Sequence, residues 1–125
     1  MMRILRIVYQ PYKYLVFAPL VIVSTAVCAT VAVLLAALLG PRPASLMGIV
    51  WSRFNAWITP MLVTTRGLEK IDRKQSYVVV SNHQSQYDIF VLYGWLGIDF
   101  KWVMKQELRK IPGLGIACEK IGHIF

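Results

Sequence analysis

From Tyr14 to Pro41 the chain carries no charged side chain, and between Leu20 and Leu39 only Ser24, Thr25 and Thr30 interrupt a run of Val, Ile, Leu, Ala and Cys. No other feature constrains the fold as much, because ~20 apolar residues in a helix match the ~30 Å hydrocarbon core of a bilayer. A cleaved signal peptide is the competing reading, with Arg3, Arg6 and Lys13 as its basic flank. It fits poorly: such apolar regions run ~7 to 15 residues and end at a small-residue cleavage site, whereas this run is longer and meets Gly40-Pro41-Arg42-Pro43. The run is expected to anchor the protein, in a first helix over about 14–39.

A second membrane-associated helix is expected over about 44–62. Leu46, Ile49, Val50, Phe54, Trp57 and Ile58 recur there at steps of three or four, with Arg53 on the other face, and Trp51 and Trp57 suit a headgroup boundary. Residues 1–65 hold five cations and no anion. Apolar surroundings make an anionic membrane a better partner for that charge than nucleic acid, which needs many clustered cations. Cations on both sides of the first helix leave orientation open, and a monotopic hairpin that enters and leaves one leaflet is preferred to a single crossing.

From Arg66 the composition becomes that of a water-facing domain, with nine cations and six anions up to Phe125. The boundary falls near Thr64 to Gly67, giving an anchor over 1–65 and a second unit over 66–125. Ser76–Ser81 reads as a short buried strand, Asp88–Leu96 as a helix and Phe100–Met104 as a second strand. A helical turn is expected at Lys105–Lys110, and Gly122–Phe125 as the start of a third strand. Strand, helix and strand in this order imply a parallel βαβ unit, so the expected fold class is α/β behind a helical hairpin. Cys28 and Cys118 stand ninety positions apart without metal-type spacing and read as small apolar residues; no metal site is expected.

The chemistry-bearing stretch is Asn82-His83-Gln84-Ser85-Gln86-Tyr87-Asp88, after the first expected strand. Five residues apart on a regular helix, His83 and Asp88 would point about 140° away from each other. With His83 in a turn and Asp88 in the first helical turns, the carboxylate can fold back onto the imidazole and fix its tautomer. Such a pair suits general-base activation of a hydroxyl, although a plain hydrogen-bonded pair has the same spacing. Ser85 lacks a nucleophile-elbow context and reads as a polar turn residue.

These residues resemble the NHx4D signature of the glycerolipid acyltransferases, above all the 1-acyl-sn-glycerol-3-phosphate (lysophosphatidic acid) acyltransferases. Lys101-Trp102-Val103-Met104-Lys105-Gln106-Glu107-Leu108 and Ile111-Pro112-Gly113-Leu114-Gly115 are similar to the family's K-x-E-L…P…G segment, and Gly122-His123-Ile124-Phe125 to the opening of its second motif. The resemblance implies that His83 deprotonates the sn-2 hydroxyl of lysophosphatidate and that Asp88 orients and supports it. The hydroxyl would then attack the thioester of acyl-CoA or acyl-carrier protein and give phosphatidate. It further implies that Asn82 shapes the turn and that Lys105 contacts substrate or phosphate. No cofactor is expected beyond the acyl donor, membrane lipids are the expected partners, and the site is expected at the cytosolic face. His123 is expected to be a core or surface histidine rather than a second base. The family's later Arg and its Glu-Gly-Thr-Arg-type motif have no counterpart before Phe125, so the 125 residues read as the front of a larger enzyme, inactive alone. A noncatalytic membrane module is the alternative, and a metal-dependent hydrolase a more distant one.

Overall fold

The computed structural model describes Met2–Phe125, with side chains from Ile7 onward. The chain opens on a continuous helical rod made of α1 (Met2–Tyr12), a π-helical turn (Lys13–Phe17) and α2 (Ala18–Leu39). The helix thus begins well before residue 14. Prolines account for the widened turn. Pro19 has no N–H, and its ring crowds the carbonyl four residues back; in the π turn the Ala18 N–H instead bonds the Lys13 carbonyl, and the looser coil absorbs the ring.

Ile7–Leu39 is long and apolar enough to cross a membrane, and only 11% of its most apolar stretch is buried within the protein. Leu15, Ile22, Val27, Leu34 and Leu38 all face outward. A core helix of a water-soluble protein would hide these residues.

Gly40, at φ 92°, takes a backbone conformation that side chains resist and reverses the chain into α3 (Pro41–Ile58). Pro41 and Pro43 sit in its first turn, where a missing N–H costs nothing. Ala29 and Ala32 of α2 and Ala44 of α3 are buried together with Ala117 and Ile121 of α5 (Leu114–Ile121), so small side chains let the backbones approach. Farther along, the seam turns polar. Asn55 is fully buried and donates from Nδ2 to the Trp51 carbonyl at 2.7 Å and to Ser24 Oγ at 3.2 Å, while Trp51 Nε1 donates to Thr25 Oγ1 at 2.9 Å. Ser24 and Thr25, two of the three polar interruptions of the apolar run, therefore mark where α3 lies.

Helix α4 (Tyr87–Trp95) packs on the other side of α3. Its close approach depends on two glycines. The Tyr93 ring occupies the place where a Gly48 side chain would stand, and Gly94 lies against Ser52 and Arg53. Arg53 Nε donates to the Gly94 carbonyl at 2.9 Å, so the charge expected on the outer face of α3 ties α3 to α4. Helix α5 packs on α2 and α3, so α3 touches three other helices and is the central element. Leu46, Val50 and Trp57 stay exposed on α3, but Ile58 is buried, and α3 ends at Thr59-Pro60 rather than near residue 62.

The expected βαβ unit is not formed among the described residues. Ser76–Ser81 pairs with no neighbour, and Val78 and Val80 are 92% and 88% exposed rather than buried. Phe100–Met104 and Gly122–Phe125 meet in a single parallel bridge, Val103 with Ile124. There the Ile124 N–H donates to the Trp102 carbonyl at 2.9 Å and the Met104 N–H to the Ile124 carbonyl at 2.7 Å. A β-branched run supplies propensity only; a strand exists where another backbone answers its N–H and C=O groups. Helical expectations met no such requirement. Asp88–Leu96 appears as Tyr87–Trp95, and the turn at Lys105–Lys110 appears as a 3₁₀ turn over Gln106–Lys110.

Candidate active site

The turn from His83 into α4 is organised by one carboxylate oxygen. Asp88 is the second residue of α4, and its Oδ2 accepts the backbone N–H of Gln84 at 2.7 Å and of Ser85 at 2.9 Å. Ser85 in turn returns its carbonyl to the Asp88 N–H at 3.1 Å and its Oγ to the Tyr87 N–H at 3.3 Å. The start of a helix leaves N–H groups without partners and favours negative charge, so an acidic residue here is stabilising for local reasons alone. Ser85 is spent on that turn.

The same Oδ2 lies 3.3 Å from His83 Nδ1. A carboxylate can only accept, so Nδ1 carries the hydrogen, and neutral His83 keeps its lone pair on Nε2. The His83 side chain is 59% exposed, leaving the ring within reach of an incoming hydroxyl. The N–H groups of Ser85 and Gln84, and after them His83, hold the Asp88 carboxyl below the usual carboxylate range, so it stays ionised opposite the imidazole. An imidazole with a fixed tautomer, an outward-facing lone pair and an anion to balance the proton it gains is equipped for general-base chemistry.

The structure brings His83 and Asp88 together and shows no hydrogen bond from the side chain of Asn82 or Lys105 to either, among the described residues. Asn82 is exposed and makes no side-chain hydrogen bond among the described residues; the tying of the turn assigned to its amide is done by Asp88. Lys105 is exposed where the chain enters the Gln106–Lys110 turn, and among the described residues it makes no hydrogen bond or ion pair with the His83–Asp88 pair.

Aromatic contacts beneath the turn were not anticipated. Tyr87 stacks on Phe90 at 6.0 Å between centroids, Phe90 meets Trp51 of α3 edge-on at 5.1 Å, and Tyr87 also meets Phe17 of the π turn at 6.1 Å. Tyr87 and Phe90 are three residues apart on one helix, so half of this shelf was readable as a same-face pair. Its partners Phe17 and Trp51 come from distant sequence.

His123 lies in the interior, away from solvent, against the Tyr93 ring and the Trp102 backbone. Its Nδ1 accepts the Trp102 backbone N–H at 3.3 Å, and its Nε2 lies 3.3 Å from the Tyr93 hydroxyl. Burial, with the Lys101 charge adding to it and Asp99 opposing it, pulls the imidazole down to about 4. Burial likewise pushes the Cys118 thiol up to about 11, where it carries no thiolate at neutral pH.

One helix is long and apolar enough to cross a membrane, and the residues packed against it present His83 beside the Asp88 carboxylate. Residues 62–125 match the family model described as Acyltransferase, which is 64 of the 125 residues and includes the whole candidate turn. The chain belongs to the acyltransferase family. No curated protein and no solved structure matches it.

Proposed function

We propose that the chain supplies the membrane anchor (1–65) and the start of the catalytic domain (66–125) of a 1-acylglycerol-3-phosphate acyltransferase acting in phospholipid synthesis. The contact between His83 Nδ1 and Asp88 Oδ2 carries this reading. His83 Nε2 takes the proton of the sn-2 hydroxyl of lysophosphatidate, and the oxygen attacks the carbonyl carbon of an acyl thioester. The C–S bond breaks, the thiolate leaves as CoA or carrier protein, and the imidazolium returns the proton to that sulfur. Asp88 stabilises the imidazolium while it exists. Asn82 and Lys105 are proposed to contact the acceptor, Lys105 as a cation for its phosphate. The reaction balances without a cofactor beyond the acyl donor.

Packing supports attachment from one face. Helix α5 lies beside Ala29–Ala36 of α2 and carries exposed Glu119 and Lys120. Driving α2 straight through a bilayer would bring those charges toward the hydrocarbon, at ~2.5–3.5 kcal/mol for each charge at its centre. A hairpin lying along one face of the bilayer, with α5 on its water side, avoids this and keeps the turn at the cytosolic face, where the thioester arrives, while the acceptor stays in the bilayer.

The test is His83→Ala in the full-length protein in its native membrane, assayed for transfer from acyl-CoA and acyl-carrier protein to lysophosphatidate. A loss of about 10²–10⁴-fold is expected for a missing general base. Wild-type transfer by the variant would remove His83 from catalysis and favour a noncatalytic membrane module.

A further inference from the structure

We infer that Phe17, the last residue of the π turn, is a positioning residue for the His83–Asp88 pair and acts on it through the Tyr87 ring. This deepens the proposed function, on which its catalytic consequence rests, by naming what aims the pair from outside the catalytic turn.

The π turn is what lets Phe17 reach α4. On an unbroken α-helix Tyr12 and Phe17, five residues apart, would point about 140° away from each other at ~100° per residue. A π turn holds one residue more than an α turn, so Phe17 falls where a fourth residue would stand, about 40° from Tyr12. The two then share a face, and the contacts agree. The Tyr12 hydroxyl donates to the Ile58 carbonyl of α3, and the Phe17 ring meets Tyr87 of α4 at 6.1 Å between centroids. Single π turns inside α-helices collect at functional sites.

Tyr87 is well placed to govern the pair. It is the first residue of α4 and Asp88 the second, and the residue before them, Gln86, gives the helix start no side-chain hydrogen bond. Helix ends fray unless held. This one is held by the Asp88 carboxylate and by the rings that pack on Tyr87, Phe17 and Phe90. Asp88 Oδ2 serves the Gln84 N–H at 2.7 Å, the Ser85 N–H at 2.9 Å and His83 Nδ1 at 3.3 Å, so a slip of the helix start disturbs all three and loosens the longest, the one to His83, first. The contacts also form a circuit. From Phe17 they pass through Tyr87 and Phe90 to Trp51 of α3, whose Nε1 donates to Thr25 Oγ1 of α2. The circuit leaves the helical rod at Phe17 and rejoins it at Thr25, so the start of α4 cannot move along the rod without breaking one of them.

Four forms of the full-length protein in lipid nanodiscs test this: wild type, Phe17→Leu, Phe17→Tyr, and Tyr14→Leu as a control on an exposed side chain of the same turn. Leucine keeps apolar bulk in the anchor and removes the ring; tyrosine keeps the ring. The readouts are steady-state acyl transfer to lysophosphatidate and hydrogen exchange at the Gln84 and Ser85 amides, which does not depend on catalysis. Misplacement by about 1 Å costs on the order of 10²-fold in rate, so Phe17→Leu should lower kcat by about ten- to a hundredfold and change KM by less than about twofold. Exchange at the two amides should rise by up to about tenfold for the lost ring pair. Phe17→Tyr and Tyr14→Leu should stay near wild type in both readouts, and Phe17→Leu added to Tyr87→Leu should cause no further loss. Wild-type kcat and exchange in Phe17→Leu, an equal loss in Tyr14→Leu, or additive losses in the double variant overturn the inference. A wild-type protein that transfers no acyl group to lysophosphatidate refutes the proposed reaction, while the exchange readout still decides whether Phe17 positions the turn.

Discussion

Acid should loosen this protein through His123. Two hydrogen bonds define the state of the ring: Nδ1 accepts from the Trp102 N–H, so the hydrogen sits on Nε2 toward the Tyr93 hydroxyl. A second proton would have to enter at Nδ1, facing an N–H that cannot turn away. Folding lowers this imidazole from 6.5 to about 4, so the folded state binds fewer protons than the unfolded chain at intermediate pH. Stability is then full above about pH 6.5 and declines as pH falls, at up to ~1.4 kcal/mol per unit, levelling once the folded ring also protonates near pH 4; the limiting loss is about 3 kcal/mol. Urea unfolding followed by tryptophan fluorescence in detergent micelles, from pH 7.5 to 4.5, measures the slope. His123→Phe keeps an aromatic ring against Tyr93. It should cost about 1 kcal/mol at pH 7 for the lost acceptor and run nearly flat in the acid window. A wild-type protein whose midpoint ignores pH between 6.5 and 4.5, or a His123→Phe variant with an undiminished slope, would refute the reasoning. Asp88 does not confuse the window, since hydrogen bonds from the Ser85 and Gln84 N–H groups hold its carboxyl below the usual carboxylate range.

Gly48→Ala should destabilise although alanine favours helix by ~0.8–1.0 kcal/mol, because the new methyl falls on the Tyr93 ring; a thermal midpoint at or above wild type would contradict the packing of α3 on α4. Asn55→Ala should cost about 2–3 kcal/mol, since it removes two buried hydrogen bonds and leaves a gap, whereas Leu46→Ala on the exposed side of α3 should stay within about 0.5 kcal/mol in detergent. Asp88→Asn retains an oxygen for the Gln84 and Ser85 N–H groups but no charge for an imidazolium. It should unfold close to wild type and lose acyl transfer at least tenfold, and equal losses of stability and activity would make Asp88 a helix-start residue alone. As the pH falls through the lowered range of this carboxyl, protonation of Asp88 should release the turn and raise amide exchange at Gln84 and Ser85.

Much of the helical part was legible because its signals are local. A long charge-free run, a Gly-Pro break and a return at helical spacing specify a hairpin without reference to the rest of the chain, and the polar start of α4 was equally readable. His83 and Asp88 could be paired on paper because five residues of turn and helix start bring them together through nearby backbone alone. Strand expectations failed for the converse reason. The β-branched run at Ser76–Ser81 needs a partner backbone, and neither its composition nor its neighbours in sequence supply one.

Tertiary structure alone decided the rest. It gave the exposed Arg53 a tie to the Gly94 carbonyl, and it gave Ser24 and Thr25 their reason in Asn55 and Trp51. It set the Tyr93 ring and the Trp102 backbone against His123, a histidine whose neutrality follows from burial that no window of sequence records. Periodicity and turn chemistry act over a few residues and survive in a linear reading. Burial, hydrogen-bond partners and the tautomer of an imidazole are set by atoms tens of residues away.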